Sequence, residues 1–249
     1  MDYSRWVDEL SVQAGAMRAA VVGAGPDAPA PTCPDWTVRD LVRHLAKVHQ
    51  WAGRSLVTHP DGPAPAPDEP PAAWEELLAW WDAQRDILVE RLRERGPDDP
   101  AWTFPPAPGA AGFWARRQAH ETAIHRLDAE HAATGSALAD AVPTLVFDPE
   151  LAADGIDEAL TLMVPLRASR QPITVGGTVL FHAADAGRAW LLRLRPGELP
   201  EVGPVGHPAI DADASVVGTA DAVYRAMWRR PSHAVRGGDP VLIDALRVP

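Results

Sequence analysis

From Ser4 onward apolar residues recur at three-to-four spacing (Trp6, Leu10, Met17, Val21), with Asp8 and Glu9 near the start, where a helix dipole favours acids. This pattern predicts a first helix. Gly23, Gly25, Pro26 and the prolines from Pro29 to Pro34 end it in a turn-rich connection. Thr37, with Asp40 three residues on, resembles a capping box in which the acid takes the place usually given to Glu, and Asp35 and Trp36 precede it as a staple. A second helix therefore begins near Val38 and runs to about Leu56. The proline-rich segment 60–71 reads as a loop. Trp74, Leu77, Leu78, Trp81, Leu88 and Leu92 mark the buried side of a third helix, which Gly96 and Pro97 stop. After a second loop, rich in Pro, Ala and Gly over 101–112, nothing between Phe113 and Asp128 breaks a helix. This fourth one ends near Thr134 and Gly135.

Beyond Gly135 the texture changes. Acids alternate with apolar residues at helical spacing over 148–164 (Leu151, Ile156, Leu160, Met163). The period then shortens to two, and 173–183, 189–194 and 214–217 read as strands, the first two joined as a hairpin across Asp185 to Arg188. Helical spacing returns over 219–228 and 239–246. The expected fold is α+β: an antiparallel four-helix bundle over residues 1–138, followed by a smaller α+β domain over 139–249.

The chemistry concentrates on the second and fourth helices. Glu121 and His125 stand four residues apart and share one helix face, and Asp128 joins them three residues on. A carboxylate and an imidazole one turn apart can share a metal ion. His120 lies about 140° around the same helix and faces elsewhere. The third donor must come from another element, and His44 is the best candidate, because Leu41, His44 and Val48 share a face on which an unpartnered imidazole would be costly. Facing helices of a bundle commonly build metal sites this way. Two imidazoles and one carboxylate leave open positions, the arrangement of catalytic zinc sites, although the same set also suits Fe(II). Asp128 reads as an acceptor that orients an imidazole. His49 and His120 read as structural, and the tryptophans, notably Trp6, Trp36, Trp74 and Trp81, as core or loop anchors.

Composition narrows the function classes. The single cysteine, Cys33, excludes an internal disulfide and a thiolate-rich zinc site, so a metal must be held by nitrogen and oxygen; Cys33 itself reads as a loop or packing residue. A net charge of -11, from 34 acidic and 23 basic residues, argues against a nucleic-acid partner. No apolar run approaches the roughly 18 residues of a membrane span, and the first residues carry no charged start followed by an apolar segment. No membrane partner is expected, and the expected location is cytoplasmic.

Two segments, CPDWTVRDLVRHL over 33–45 and HETAIHRLDAE over 120–130, resemble the mycothiol-dependent maleylpyruvate isomerase family. Its N-terminal domain is a DinB-like four-helix bundle and its C-terminal domain a small α+β unit similar to sterol carrier proteins. The likeness runs the length of the chain and is strongest before residue 135. It implies that His44, Glu121 and His125 ligate a divalent metal, normally zinc, with water or thiol at the open position. Spacing reached the same three residues. It also implies mycothiol as a low-molecular-weight thiol cosubstrate. An arginine of the C-terminal domain that matters to activity falls within Met227 to Arg230, and is assigned to Arg230. The expected function is a metal-dependent, thiol-using isomerase or S-transferase that acts on a small electrophilic substrate through a zinc-bound thiolate. A metallohydrolase using zinc-bound water, or a non-catalytic small-molecule-binding module, are the alternatives. Dependence on the thiol separates the first, and absence of metal would favour the last.

Overall fold

The computed structural model describes residues 1–104, 107–143, 146–203 and 211–248. The chain divides into two compact units, Met1–Val142 and Pro143–Pro249. The first is all helical: α1 (Tyr3–Ala24), α2 (Val38–Ser55), α3 (Trp74–Arg93) and α4 (Ala111–Thr134). Helix α1 packs mainly on α4 and α2 mainly on α3, with further contacts between α2 and α4 and between α1 and α3. The loop at 58–73 has no helix, and residues 105 and 106 of the second loop lie outside those described.

Each end has a local cause. Asp2 accepts from the Arg5 backbone N–H and starts α1. Thr37 and Asp40 form the reciprocal capping box at α2, with the Thr37 N–H donating to Asp40 Oδ2 at 2.9 Å. Gly135, at φ 65°, closes α4 in the left-handed conformation that glycine adopts without a Cβ penalty. The core at this end gathers Met17 and Val21 from α1, Leu41, Val42 and Leu45 from α2, Leu77 and Trp81 from α3, and Ala129 and Ala132 from α4.

Helix α4 departs from the amphipathic pattern of a surface helix. It is buried on nearly all sides, with Ala111, Ala115, Ala119, Ala123, Ala129 and Ala132 letting its neighbours approach closely. Its polar residues Arg117, His120, Thr122, His125 and Asp128 are therefore inside the protein, where polar groups need partners.

The second unit carries a five-stranded mixed sheet ordered β3-β2-β1-β4-β5, from β1 (Gly177–Ala183), β2 (Arg188–Leu194), β3 (Glu201–Gly203), β4 (Ala214–Gly218) and β5 (Val235–Gly238). The overall class is α+β. The hairpin expected across Asp185 to Arg188 is present, with Phe181 opposite Trp190. Strand β4 runs parallel to β1, and both outer pairs are antiparallel. The first strand starts at Gly177, not at Ile173, and the short edge strands β3 and β5 escaped the period-two pattern. The helix expected over 148–164 is longer and interrupted: α5 (Pro149–Glu158) opens into a wide π-turn (Ala159–Met163) and resumes as α6 (Val164–Arg170). Pro165 accounts for the interruption, because its ring meets the carbonyl four residues earlier and it has no N–H to donate. Helices α7 (Ala220–Met227) and α8 (Pro240–Ala245) complete the unit. No helix among the described residues is long and apolar enough to cross a membrane.

Candidate metal centre

Helix α2 enters through its capping box and buries Leu41, Val42, Leu45 and Ala46 completely. That stripe passes beside His44, not through it. The imidazole lies at the edge of the buried face with 35 % of its side chain exposed, which corrects the expectation of a histidine embedded among apolar residues. His49 is the fully buried histidine of α2.

His44 reaches α4 at Glu121. Its Nε2 lies 3.0 Å from Glu121 Oε1, and His125 Nε2 lies 3.3 Å from the same oxygen. The one oxygen thus faces two imidazole nitrogens. Donor atoms of His44, Glu121 and His125 all lie within 4.8 Å of one another. Ligands on a tetrahedral zinc with bonds of about 2.0–2.1 Å stand about 3.3 Å apart, close to the 3.0 and 3.3 Å that separate the two imidazole nitrogens from Glu121 Oε1.

The other edges of these side chains are tied to protein. His125 Nδ1 pairs with Asp128 Oδ2 at 3.0 Å, which leaves Nε2 for the shared point. Asp128 is fully buried and also accepts from Thr32 Oγ1 at 2.6 Å and Cys33 Sγ at 3.2 Å. Arg117 Nη2 donates to Glu121 Oε2 at 2.8 Å. Burial works to raise the Glu121 carboxyl, but hydrogen bonds from His125 and His44 and the Arg117 charge hold it well below the usual carboxylate range. Burial likewise works to lower His125, but hydrogen bonds to Asp128, Cys33 and Glu121 raise it well above an ordinary imidazole. Without an ion, then, His125 is a cation between two carboxylates.

The connection ahead of α2 forms a wall. Trp36 stacks on His125 at 6.2 Å and 24° and tilts against His44 at 5.1 Å. Asp35, beside it, holds φ 67°, a left-handed conformation that Asp tolerates better than most residues. Cys33, His125 and Asp128 form a second group of close donors, so the loop cysteine belongs to the surroundings of the site.

His49 and His120 contribute no donor to either group among the described residues. His49 Nδ1 accepts from Trp81 Nε1 at 3.2 Å, so its Nε2 carries the proton and donates to Thr122 Oγ1 at 3.0 Å. Burial pushes it down to about 3, and it stays neutral. Arg230, in the second unit, follows α7; its backbone N–H donates to the Arg225 carbonyl at 2.9 Å and its Nη1 to the Trp228 carbonyl at 2.8 Å. Sequence reasoning missed Arg117 and the contact of Trp36 with both imidazoles. An arginine four residues before a glutamate reads as a solvated helix pair, and the signal against that reading was the absence of a polar face on α4.

A family model described as the mycothiol maleylpyruvate isomerase N-terminal domain matches residues 7–130. A second, described as the MDMPI C-terminal domain, matches residues 150–245. No curated protein matches the chain. Among solved structures, the chain is similar to a mycothiol-dependent maleylpyruvate isomerase at 15% identity and TM-score 0.51. It is also similar to a histidine-to-alanine mutant of such an enzyme at 14% identity and TM-score 0.57. Each alignment covers 95% of this chain and 93% of the other. At such identities the structural likeness speaks to the fold, and it extends over both units. With a domain model matched on either side of the 142–143 division, the chain belongs to the mycothiol-dependent maleylpyruvate isomerase family.

Proposed function

We propose that this protein is a metal-dependent enzyme that uses mycothiol as cosubstrate to isomerise, or to conjugate, a small electrophilic substrate. His44, Glu121 and His125 would hold the cation, a divalent ion by the chemistry of the donor set and zinc by the family resemblance. The observation that carries this reading is the convergence of two imidazole nitrogens on the single oxygen Glu121 Oε1, at 3.0 and 3.3 Å. A divalent ion there would supply a Lewis acid able to lower the pKa of a coordinated thiol, which suits a chain with one cysteine of its own.

The protein's residues have distinct tasks. Asp128 holds His125 Nδ1, which would leave Nε2 to a bound ion. Trp36 gives the site an apolar wall that limits water on that side. The exposed edge of His44 marks the side open to small molecules. Arg230 is assigned to hold an anionic substrate group, a task for which guanidinium geometry is well suited and against which the net charge of the chain otherwise works.

Metal analysis after dialysis, together with turnover of maleylpyruvate and other small electrophiles with and without mycothiol, tests the proposal. It expects about one ion per chain, its loss in His44→Ala, and turnover or S-conjugate formation only with the thiol. Unchanged metal content in His44→Ala would overturn the ligand set. Thiol-independent cleavage would identify a hydrolase instead.

A further inference from the structure

The Arg117 side chain is only 5% exposed, and it pairs with Glu121, itself 18% exposed. As a device for helix stability the pair is poor. The arginine precedes the glutamate by one turn, the less favourable order along a helix dipole, and burying both charges carries a desolvation cost that an apolar pair would avoid. The position of the contact supplies a reason. Arg117 takes Oε2 at 2.8 Å, while Oε1 alone faces His44 and His125.

We propose that Arg117 is a positioning residue that reserves one oxygen of Glu121, making the glutamate a one-oxygen, charge-compensated ligand and leaving the cation able to capture an anionic thiol. This rests on the metal site proposed above. A carboxylate free to turn would offer both oxygens and fill a position needed by the cosubstrate. Charge acts in the same direction: the Arg117 guanidinium, 2.8 Å from Glu121 Oε2, offsets part of the carboxylate's charge, so a divalent ion held there would keep more of its own positive charge for an anionic sulfur. Arg117 therefore biases the centre toward an anionic sulfur and away from neutral water.

Cobalt(II) loaded in place of zinc reports both effects. The wild type is expected to show the intense visible absorption of four-coordinate cobalt, and 2-mercaptoethanol to titrate in with a thiolate-to-cobalt charge-transfer band. In Arg117→Met, an apolar residue of similar length, the visible band should weaken as Oε2 joins the ion. The thiol Kd should rise about tenfold, while cobalt itself is held as tightly as before or tighter. Arg117→Lys, which keeps the charge, should restore most of the thiol affinity. A merely structural arginine would loosen cobalt and thiol together. An unchanged spectrum and thiol Kd in Arg117→Met overturns the inference, whereas failure of the wild type to bind cobalt overturns the metal site beneath it. Should Arg117→Met not fold, X-ray absorption on the cobalt-loaded wild type decides: one carboxylate oxygen at the metal supports the inference and two overturn it.

Discussion

His44 and His49 sit on the same helix and both reach α4, yet they meet it in opposite ways. His49 ends on Thr122 and Trp81, each ring nitrogen has one protein partner, and burial keeps the ring neutral. His44 ends on Glu121, whose facing oxygen is already approached by His125. The first arrangement is complete as it stands. The second crowds three donors around one point and holds His125 protonated in the absence of an ion. Burial alone therefore does not pick out a candidate ligand, because the more buried of the two is the one whose ring nitrogens both have protein partners. What distinguishes His44 is shared acceptors and an open edge.

The widest separation should appear in stability. His49→Ala leaves the Trp81 N–H without its acceptor and opens a cavity in the core, costing about 3 kcal/mol. In metal-free protein His44→Ala, at the edge, should cost no more than about 0.5 kcal/mol. Urea denaturation of both variants measures the gap, and equal losses would break the contrast. A smaller effect is expected from Asp128→Asn, which keeps the side-chain shape but weakens the hold on His125 Nδ1. Metal affinity should fall about 10-fold or more by competition with a chelator, and the metal-free protein should lose the stability that the buried pair with His125 supplies below pH 6.5. Least in size is the proton count. His125 is raised above its unfolded value, so its contribution to metal-free stability is fully present below pH 6.5, the ordinary imidazole value, and is lost as pH rises through the higher folded value. A cation needs that nitrogen deprotonated, so calorimetry at pH 7 in buffers of differing ionisation enthalpy should find about one proton released per ion. Affinity should correspondingly climb with pH. His49, neutral throughout this range, should contribute none.

Much of the helical unit was legible because local chemistry and packing agree there. Thr37 and Asp40 announce α2, and the spacing of Glu121, His125 and Asp128 survives intact because a helix preserves it. His44 was singled out for a partly mistaken reason. Leu41 and Val48 suggested an apolar setting, whereas the buried stripe runs from Leu41 and Val42 to Leu45 and Ala46 and leaves the imidazole at the rim. Arg117 was hidden because an arginine four residues before a glutamate reads as a solvated pair, and only the lack of a polar face on α4 spoke against that. Trp36 was hidden because its contacts depend on how a loop folds back, which no periodicity encodes. In the sheet unit the three-residue β3 and the glycine-containing β5 are too short to show alternation. The π-turn before Pro165 needed knowledge of where the ring would strike the preceding turn.

Glu121 and His125 come from one helix and are brought together as soon as it winds, but His44 joins them from 77 positions away in the chain. A cation gripped by all three would therefore act as a removable cross-link over a long loop. A permanent link of that span restricts an unfolded chain by on the order of 4 kcal/mol. A protein whose lone thiol cannot form an internal disulfide would gain from its metal a reversible brace as well as a reagent, and the grip of α2 on α4 would then follow the supply of the ion.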